Sequence, residues 1–355
     1  MHPTRIRDFK MKKIVLNYLI FTALFAVTAM SCNNELPEPT EDPNFWKPQK
    51  GDVYVAGTIT DSYQASFATV WKNGVAKSLT DGTDRFMHAN SIFVSGSDVY
   101  VAGMVGSDAV LWKNGIIQYL TDGTRDKDVF SVFVTGNDVY VAGYVSNISG
   151  YDVATLWKNG KAQSLTDGTR DERAYSVFVS GNDVYVAGSE TEDGGESGVI
   201  NVVAKLWKNG EAQNLTDGTD ANSVFVSGND VYVAGGNDGG DAVLWKNGIV
   251  QNLAVVTSWS IANSVFAYGS DVYVAGKAGP DAVLWKNGVA QNLATVSGWA
   301  RAVSVCVSDN NVYVAGVDGS IHSDIEQPKL WKNGEAQNLT DRTIRAWVCS
   351  VFVVE

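Results

Sequence analysis

The chain predicts an all-β fold: a seven-bladed β-propeller of four-stranded antiparallel blades, closed by its own C-terminal strand. Three observations predict it. The hexapeptide Asp-Val-Tyr-Val-Ala-Gly begins at Asp52, Asp98, Asp138, Asp183, Asp230, Asp271 and, with Asn for Asp, at Asn311, a spacing of 40 to 47 residues. Trp-Lys-Asn-Gly follows each copy, starting at Trp71, Trp112, Trp157, Trp207, Trp245, Trp285 and Trp331. A Ser-Val-Phe-Val phrase, or a variant of it, precedes every copy but the first, and the missing one closes the chain as Ser350-Val351-Phe352-Val353. A fixed period wrapped in this circular way is the pattern of a closed ring of repeats.

Each repeat resolves into four short strands, in the copy after residue 90 Ser91–Ser95, Asp98–Gly103, Ala109–Lys113 and Ile116–Thr121. The first two are joined by Gly-Ser or Gly-Asn, as at Gly136-Asn137, and the last two by Asn-Gly in all seven copies. Both dipeptides take up positive φ readily and suit two-residue hairpins. The strands are apolar on both faces: in Val-Tyr-Val-Ala the valines oppose Tyr and Ala. A sheet with one wet face alternates apolar with polar, so these sheets need a neighbour on each side. A solenoid buries one face and has a shorter period.

Closure follows from phase. Ser350–Val354 supplies the innermost strand of the blade that begins at Asp52, which removes the free edges of an open array. A truncated half-repeat is the alternative, and the absence of any copy before Asp52 favours closure.

Residues 1–31 read as a lipoprotein export signal. Lys12 and Lys13 precede a 16-residue apolar stretch, Ile14 to Ala29, and Ala29-Met30-Ser31-Cys32 is a small-residue cleavage region. The stretch is short for a bilayer span of about 20 residues. The cleavage region resembles the lipobox of bacterial lipoproteins, with Met30 the unusual position, and the resemblance makes Cys32 the lipidated residue. Residues 32–50, acidic and Pro-rich, read as a tether, and the propeller is expected over 51–355. The resemblance implies an exported protein at the outer membrane or cell surface of a Gram-negative bacterium, touching the membrane only through the lipid on Cys32.

Residues 1–31 hold five of the 27 basic and one of the 39 acidic side chains, so 22 and 38 remain without them, a formal charge of −16. Acidity on that scale repels nucleic acid and anionic surfaces, and nucleic-acid binding is not expected.

The Val-Tyr-Val-x-Gly phrase resembles kelch-type propellers, although most copies have Ala-Gly where kelch has Gly-Gly; Gly235-Gly236 is the nearest match. The stretch from Leu-Trp-Lys-Asn-Gly through Asn-Leu-Thr-Asp-Gly-Thr resembles the extracellular HAF-type repeat. Both resemblances are structural and imply no chemistry.

Comparing the seven copies separates fixed from variable positions. The two hairpin turns are nearly fixed and share one face of the ring. The other connections share the opposite face and vary: Met104–Asp108 is short, Ser189–Val202 long and acidic, and Val317–Pro328 holds His322. Loops on a rigid scaffold are the usual place for binding residues, and unconstrained drift is the alternative. Three residues before each innermost-strand serine stand His88, Asp128, Arg173, Asp220, Ile261, Arg301 and Trp347, which ring symmetry places around the channel mouth. Two residues further upstream stand Phe86, Trp259 and Trp299. Aromatic faces stack on sugars or take cations, so this mouth suits a glycan or a protein segment. Packing where two copies have lost Thr-Asp-Gly-Thr explains Trp259 and Trp299 equally well.

Catalytic signatures are thin. Outside the signal only His88 and His322 occur, in different blades, and no Gly-x-Ser-x-Gly elbow or Asp-x-Asp-x-Asp-Gly calcium loop is present. The acidic loops Asp122–Asp128 and Glu190–Glu196 carry carboxylates a Ca²⁺ ion uses, and read more simply as solvated loops. No metal or cofactor is expected. The repeated Asp reads as a turn residue bonding nearby backbone N–H groups. Cys306 and Cys349, at positions +2 and −1 from their serines, alternate to opposite sheet faces, and reduced thiols are the preferred reading. The expected function is that of a monomeric binding or scaffolding ring. A carbohydrate- or peptide-degrading enzyme and an envelope assembly subunit are the alternatives, since fold alone chooses none of them.

Overall fold

The computed structural model describes residues 42–61, 64–80, 86–192, 201–253, 259–294, 298–320, 323–341 and 344–355, without the side chains of 320 and 323–325. The signal, Cys32 and His322 lie outside them. Blade 1 holds β1 (Val53–Thr60), β2 (Ser66–Lys72) and β3 (Val75–Ser78). Blade 2 holds β4 (Met87–Ser95), β5 (Asp98–Val105), β6 (Asp108–Lys113) and β7 (Ile116–Tyr119). Blade 3 holds β8 (Lys127–Thr135), β9 (Asp138–Ser146), β10 (Asp152–Lys158) and β11 (Lys161–Ser164). Blade 4 holds β12 (Glu172–Ser180), β13 (Asp183–Glu192), β14 (Asn201–Lys208) and β15 (Glu211–Asn214). Blade 5 holds β16 (Asp220–Ser227), β17 (Asp230–Gly236), β18 (Ala242–Lys246) and β19 (Ile249–Asn252). Blade 6 holds β20 (Ser260–Tyr268), β21 (Asp271–Ala278), β22 (Asp281–Lys286) and β23 (Val289–Ala294). Blade 7 holds β24 (Trp299–Ser308), β25 (Asn311–Ser320), β26 (Ser323–Lys332) and β27 (Glu335–Asn338), and β28 (Arg345–Val353) ends the chain.

The sheet order β28-β1-β2-β3 makes β28 the innermost strand of blade 1. It pairs antiparallel with β1, Val53 opposite Val353 and Ala56 opposite Ser350, as the displaced phrase predicts. The Asn-Gly turns have positive φ at both residues (Asn114 52°, Gly115 79°), the two-residue hairpin geometry that matches strand twist.

The strands are longer than the sequence suggests, by up to five residues on the variable face. The expected loop Val317–Pro328 is largely strand, β25 running to Ser320 and β26 starting at Ser323, and the described ends of the expected loop Ser189–Val202 are strand too, β13 running to Glu192 and β14 starting at Asn201. Ladder hydrogen bonds carry these polar residues outward where no apolar pattern marks them.

Seven apolar clusters occupy the seven blade interfaces. Each joins the Tyr-Ala face of one blade to the Val-Val-Trp face of the next. At the interface of blades 2 and 3, Tyr100, Ala102 and Leu111 meet Val132, Val141 and Trp157. The seven Trp-Lys-Asn-Gly tryptophans are 0–1% exposed. Because each side chain of that size removes about 150–250 Å² from water, these indoles dominate the interface energy. A contact between two different faces is head-to-tail, and seven of them close the circle.

The repeated aspartate holds a side-chain cluster in place of the expected backbone turn, although Asp52 also accepts the N–H of Gln49 at 2.9 Å. Asn114 Oδ1 takes the N–H of Val99 at 2.8 Å, and Asp98 accepts from Asn114 Nδ2 at 2.7 Å and Lys113 Nζ at 2.8 Å. Lys113 also lies over the Tyr100 ring, 5.3 Å from its centroid. The turn asparagine is the closer partner for the backbone, which leaves the carboxylate to fix the asparagine. The bond from lysine holds the carboxyls of Asp98, Asp138, Asp183, Asp230 and Asp271 below their ordinary range. In blade 7, Asn333 Nδ2 donates to Asn311 at 2.9 Å.

Structure also lies on the N-terminal side of the boundary expected at residue 51. Phe45 is 2% exposed within the core shared by blades 1 and 2. Its carbonyl accepts from Tyr54 OH at 3.2 Å, and Lys72 Nζ donates to the carbonyl of Lys47 at 2.9 Å. In other blades a glutamine from the neighbouring outer strand leans on the turn glycine, as Gln118 does on Gly160. Blade 1 has Lys77 at that position, and Trp46 takes the glutamine's place against Gly115. The Lys77 ammonium lies 5.3 Å from the Phe45 centroid and 5.8 Å from that of Trp46. The last residues of the expected tether therefore clasp the first blade.

Candidate functional site

Every innermost strand carries a β-bulge one residue before its serine, at Asn90, Phe130, Tyr175, Asn222, Asn263, Val303 and Cys349. The bulge turns two successive residues toward the channel. It also pushes the carbonyl of residue −3 against the glycine of Ala-Gly. A Cβ at Gly103 would overlap the carbonyl oxygen of His88, and the other six glycines face the same obstacle. That close approach is why Gly follows Ala in every copy.

The channel is therefore lined in tiers. The lowest is a collar of Phe352, Phe93, Phe133, Phe178, Phe225 and Phe266, with successive centroids 4.6 to 4.8 Å apart. Cys306 holds the seventh place. Above it stand the serines. Ser91 Oγ accepts the N–H of Val132 at 3.0 Å and Ser131 that of Val177 at 3.1 Å. Ser176, Ser223, Ser264 and Ser304 continue the series at 3.1 to 3.2 Å. In the bulge tier Asn222 and Asn263 donate to the carbonyls of Ala262 and Ala302 in the next blade, at 3.0 and 2.8 Å. Cys306 and Cys349 are both free thiols. The bulge shifts the alternation between them, so both face the channel at different heights instead of lying on opposite sheet faces. Burial pushes each up to about 12.

The seven residues at −3 all lie in strands beyond the bulge, not in the connections. His88 and Trp347 touch, whereas Asp128 and Arg173 are held by partners outside the seven. The His88 and Trp347 rings lie 5.7 Å apart, with Thr58 Oγ1 3.4 Å from His88 Nδ1, and burial lowers the His88 pKa. Asp128 accepts from Asn90 Nδ2 at 3.0 Å and from the N–H of Val129 at 2.8 Å. Burial pushes its carboxyl up to about 6, against the pull of those bonds and of Arg173. Arg173 is held by Asp152 at 2.6 and 2.7 Å and lies over the Tyr144 ring, 4.7 Å from its centroid. Asp220 is also raised by burial. Arg301 is exposed and Ile261 half-buried.

The upstream aromatics divide. Phe86 and Trp259 are 61% and 58% exposed. Trp259 stands over Gly240 with the Lys277 ammonium 5.4 Å from its ring. Trp299 is half-buried, pairs with Gly319 in the ladder and covers it, so packing accounts for its position.

A further aromatic group escapes the sequence reading. Phe130 stacks on Tyr144 at 6.1 Å and meets Tyr175 edge-on at 5.4 Å, beside Arg173. Its signal was available: the residue before the serine is Phe or Tyr in blades 3 and 4 where three other blades have Asn.

Two clefts flank the connection Thr121–Asp126 on the variable face. One, of about 680 Å³, lies between blades 3 and 4 and includes Asn147, Asp152, Asp171 and Arg173. The other, of about 460 Å³, lies between blades 2 and 3. Among the described residues no group of three or more His, Cys, Asp or Glu is arranged to hold a metal ion.

No protein-family model and no curated sequence matches the chain. Solved structures do. A puromycin-hydrolyzing peptidase of Mycobacterium tuberculosis superposes with a TM-score of 0.54 at 9% identity, over 83% of this chain and 53% of that one. A quinoprotein alcohol dehydrogenase-like protein of Bacteroides thetaiotaomicron does so with a TM-score of 0.50 at 10% identity, over 86% and 78%. The chain spans about half the length of the peptidase. At these identities the likeness is one of fold.

Proposed function

We propose that this protein is an exported, lipid-anchored binding module of the bacterial envelope, and that its variable face takes a glycan. The observation that carries the reading is Trp259. A tryptophan 58% exposed, set over a glycine and braced by a lysine, presents a flat apolar face to solvent at the cost of that burial. Phe86 stands exposed at the same position of blade 2. The opposite face repeats one Asp-Lys-Asn cluster around the ring and offers little that distinguishes one blade from another. Glycan-array screening of the full chain tests the reading. Binding should fall at least tenfold in Trp259→Ala with the melting temperature unchanged, and an array without hits, or hits indifferent to Trp259 and Phe86, would remove it. The anchor is tested separately, by metabolic labelling with a fatty acid: Cys32→Ser should lose the label.

A degradative enzyme has one observation behind it, the Asp128 carboxyl raised to about 6 beside Arg173 at the mouth. General acid catalysis uses such a group. Turnover of any bound glycan, abolished by Asp128→Asn, would move the reading there.

A further inference from the structure

The position four residues before each innermost-strand serine packs into a blade interface, and five copies place Met87, Thr219, Ser260, Ala300 or Ala346 there. Lys127 and Glu172 are the exceptions. Lys127 is 2% exposed, and its ammonium group has no hydrogen-bond partner. Asp108 Oδ1 pairs with its charge from 3.6 Å, too far for a hydrogen bond, and accepts instead from Thr121 Oγ1 at 3.0 Å. A buried ammonium with unmet N–H groups is costly unless an acceptor arrives.

A second donor lies at the same interface. The indole N–H of Trp157 is buried and unbonded, whereas Trp71 and Trp245 donate to the carbonyls of Leu339 and Thr216 at 3.1 and 2.9 Å. Trp207 and Trp331 share the unbonded N–H, so the lysine is what sets this interface apart. Lys127 and Trp157 both line the 460 Å³ cleft, with Thr121, Asp122 and Arg125. Tyr119, 54% exposed, also lines it.

We infer that this cleft binds a carboxylate-bearing sugar of the uronic-acid kind. The carboxylate accepts from Lys127 Nζ and Trp157 Nε1, the sugar ring lies against Tyr119, and Asp122 offers acceptors to its hydroxyls. The carboxylate follows from a buried lysine with no hydrogen bond and an unbonded indole N–H in the lining of one cleft; the sugar rests on the glycan reading.

Calorimetric titration of the full chain with glucuronate, glucose and acetate tests it. Glucuronate should bind at least tenfold more tightly than either of the others. Lys127→Met should abolish that preference, and Trp157→Phe and Tyr119→Ala should each weaken glucuronate binding several-fold. If Lys127→Met does not fold, the other two variants decide. Equal binding of glucuronate and glucose, or glucuronate binding indifferent to these substitutions, overturns the site. Acetate binding as tightly as glucuronate overturns the sugar. Neutral glycans that score on the array through Trp259 should bind Lys127→Met as they bind the parent, which separates failure of this site from failure of the face around Trp259.

Discussion

Ser350 Oγ accepts the backbone N–H of Ile92 at 3.3 Å, across 258 residues of chain. It is the seventh bond of a serine circle whose other six members join innermost strands that follow one another in sequence. The C-terminal strand thus pairs with β1 inside blade 1 and also supplies the bridge from blade 1 to blade 2. Deleting residues 349–355 should prevent folding, not trim an edge. Circular dichroism and a cooperative melt check this, and a truncated chain that melts like the parent would refute closure as the source of stability.

Gly103→Ala should destabilise the protein by about 2 kcal/mol or more, because the added methyl meets a backbone carbonyl that only a rearranged bulge can move. Ala102→Gly, one residue away, removes a methyl without a clash and serves as the contrast. Denaturant titration of the two variants gives the comparison.

Asp128 gives the stability a pH signature. Folded, its carboxyl titrates near 6; unfolded, near the ordinary 3.8. The folded protein therefore keeps a proton that the unfolded chain releases. The resulting stability is fully present below about pH 4 and is lost as pH rises through 6, at up to about 1.4 kcal/mol per pH unit. Asp128→Asn keeps an acceptor for Asn90 and cannot ionise. It should be more stable than the parent at pH 7.5 and equal to it at pH 4, and parallel melting curves across that range would contradict the burial of this group.

Trp259→Ala should leave the melting temperature within error, while Trp299→Ala should cost about 2 kcal/mol by uncovering Gly319 and the edge of the blade 7 core. Equal effects of the two would mean that one role serves both.

Phe45→Ala should cost about 3 kcal/mol, the value for a buried core phenylalanine, although sequence places it in a tether. A loss below about 0.5 kcal/mol would show the clasp to be idle.

Turn chemistry and phase made the ring legible in advance: Asn-Gly at seven corners sets the hairpins, and the missing phrase before Asp52 locates the seam. The bulge was not legible, because its residue is Asn, Phe, Tyr, Val or Cys in different copies and carries no pattern. Counting alternation straight through it misplaces Cys349. The glycine after each Ala was the available clue, since a glycine inside a strand marks a close backbone approach. The clasp was hidden for another reason. Phe45 and Trp46 have no counterpart in any repeat, and only Lys77, standing where other outer strands have Gln, hinted at a different neighbour. Mouth residues could be placed by symmetry, but which of them touch depends on the side chains of two blades at once, as with His88 and Trp347.

The serine circle and the β1–β28 ladder also impose an order of events on the ribosome. The inner edge of β1 emerges early and stays unpaired until Arg345–Val353 is made, roughly 300 residues later, which at about 5–20 residues per second is about 15–60 s. Through that interval the nascent chain displays an apolar strand edge complementary to its own last segment. A second copy carries the same segment. Exchange of C-terminal strands between two chains makes the same hydrogen bonds as closure within one, so local dilution during synthesis decides between a ring and a swapped pair.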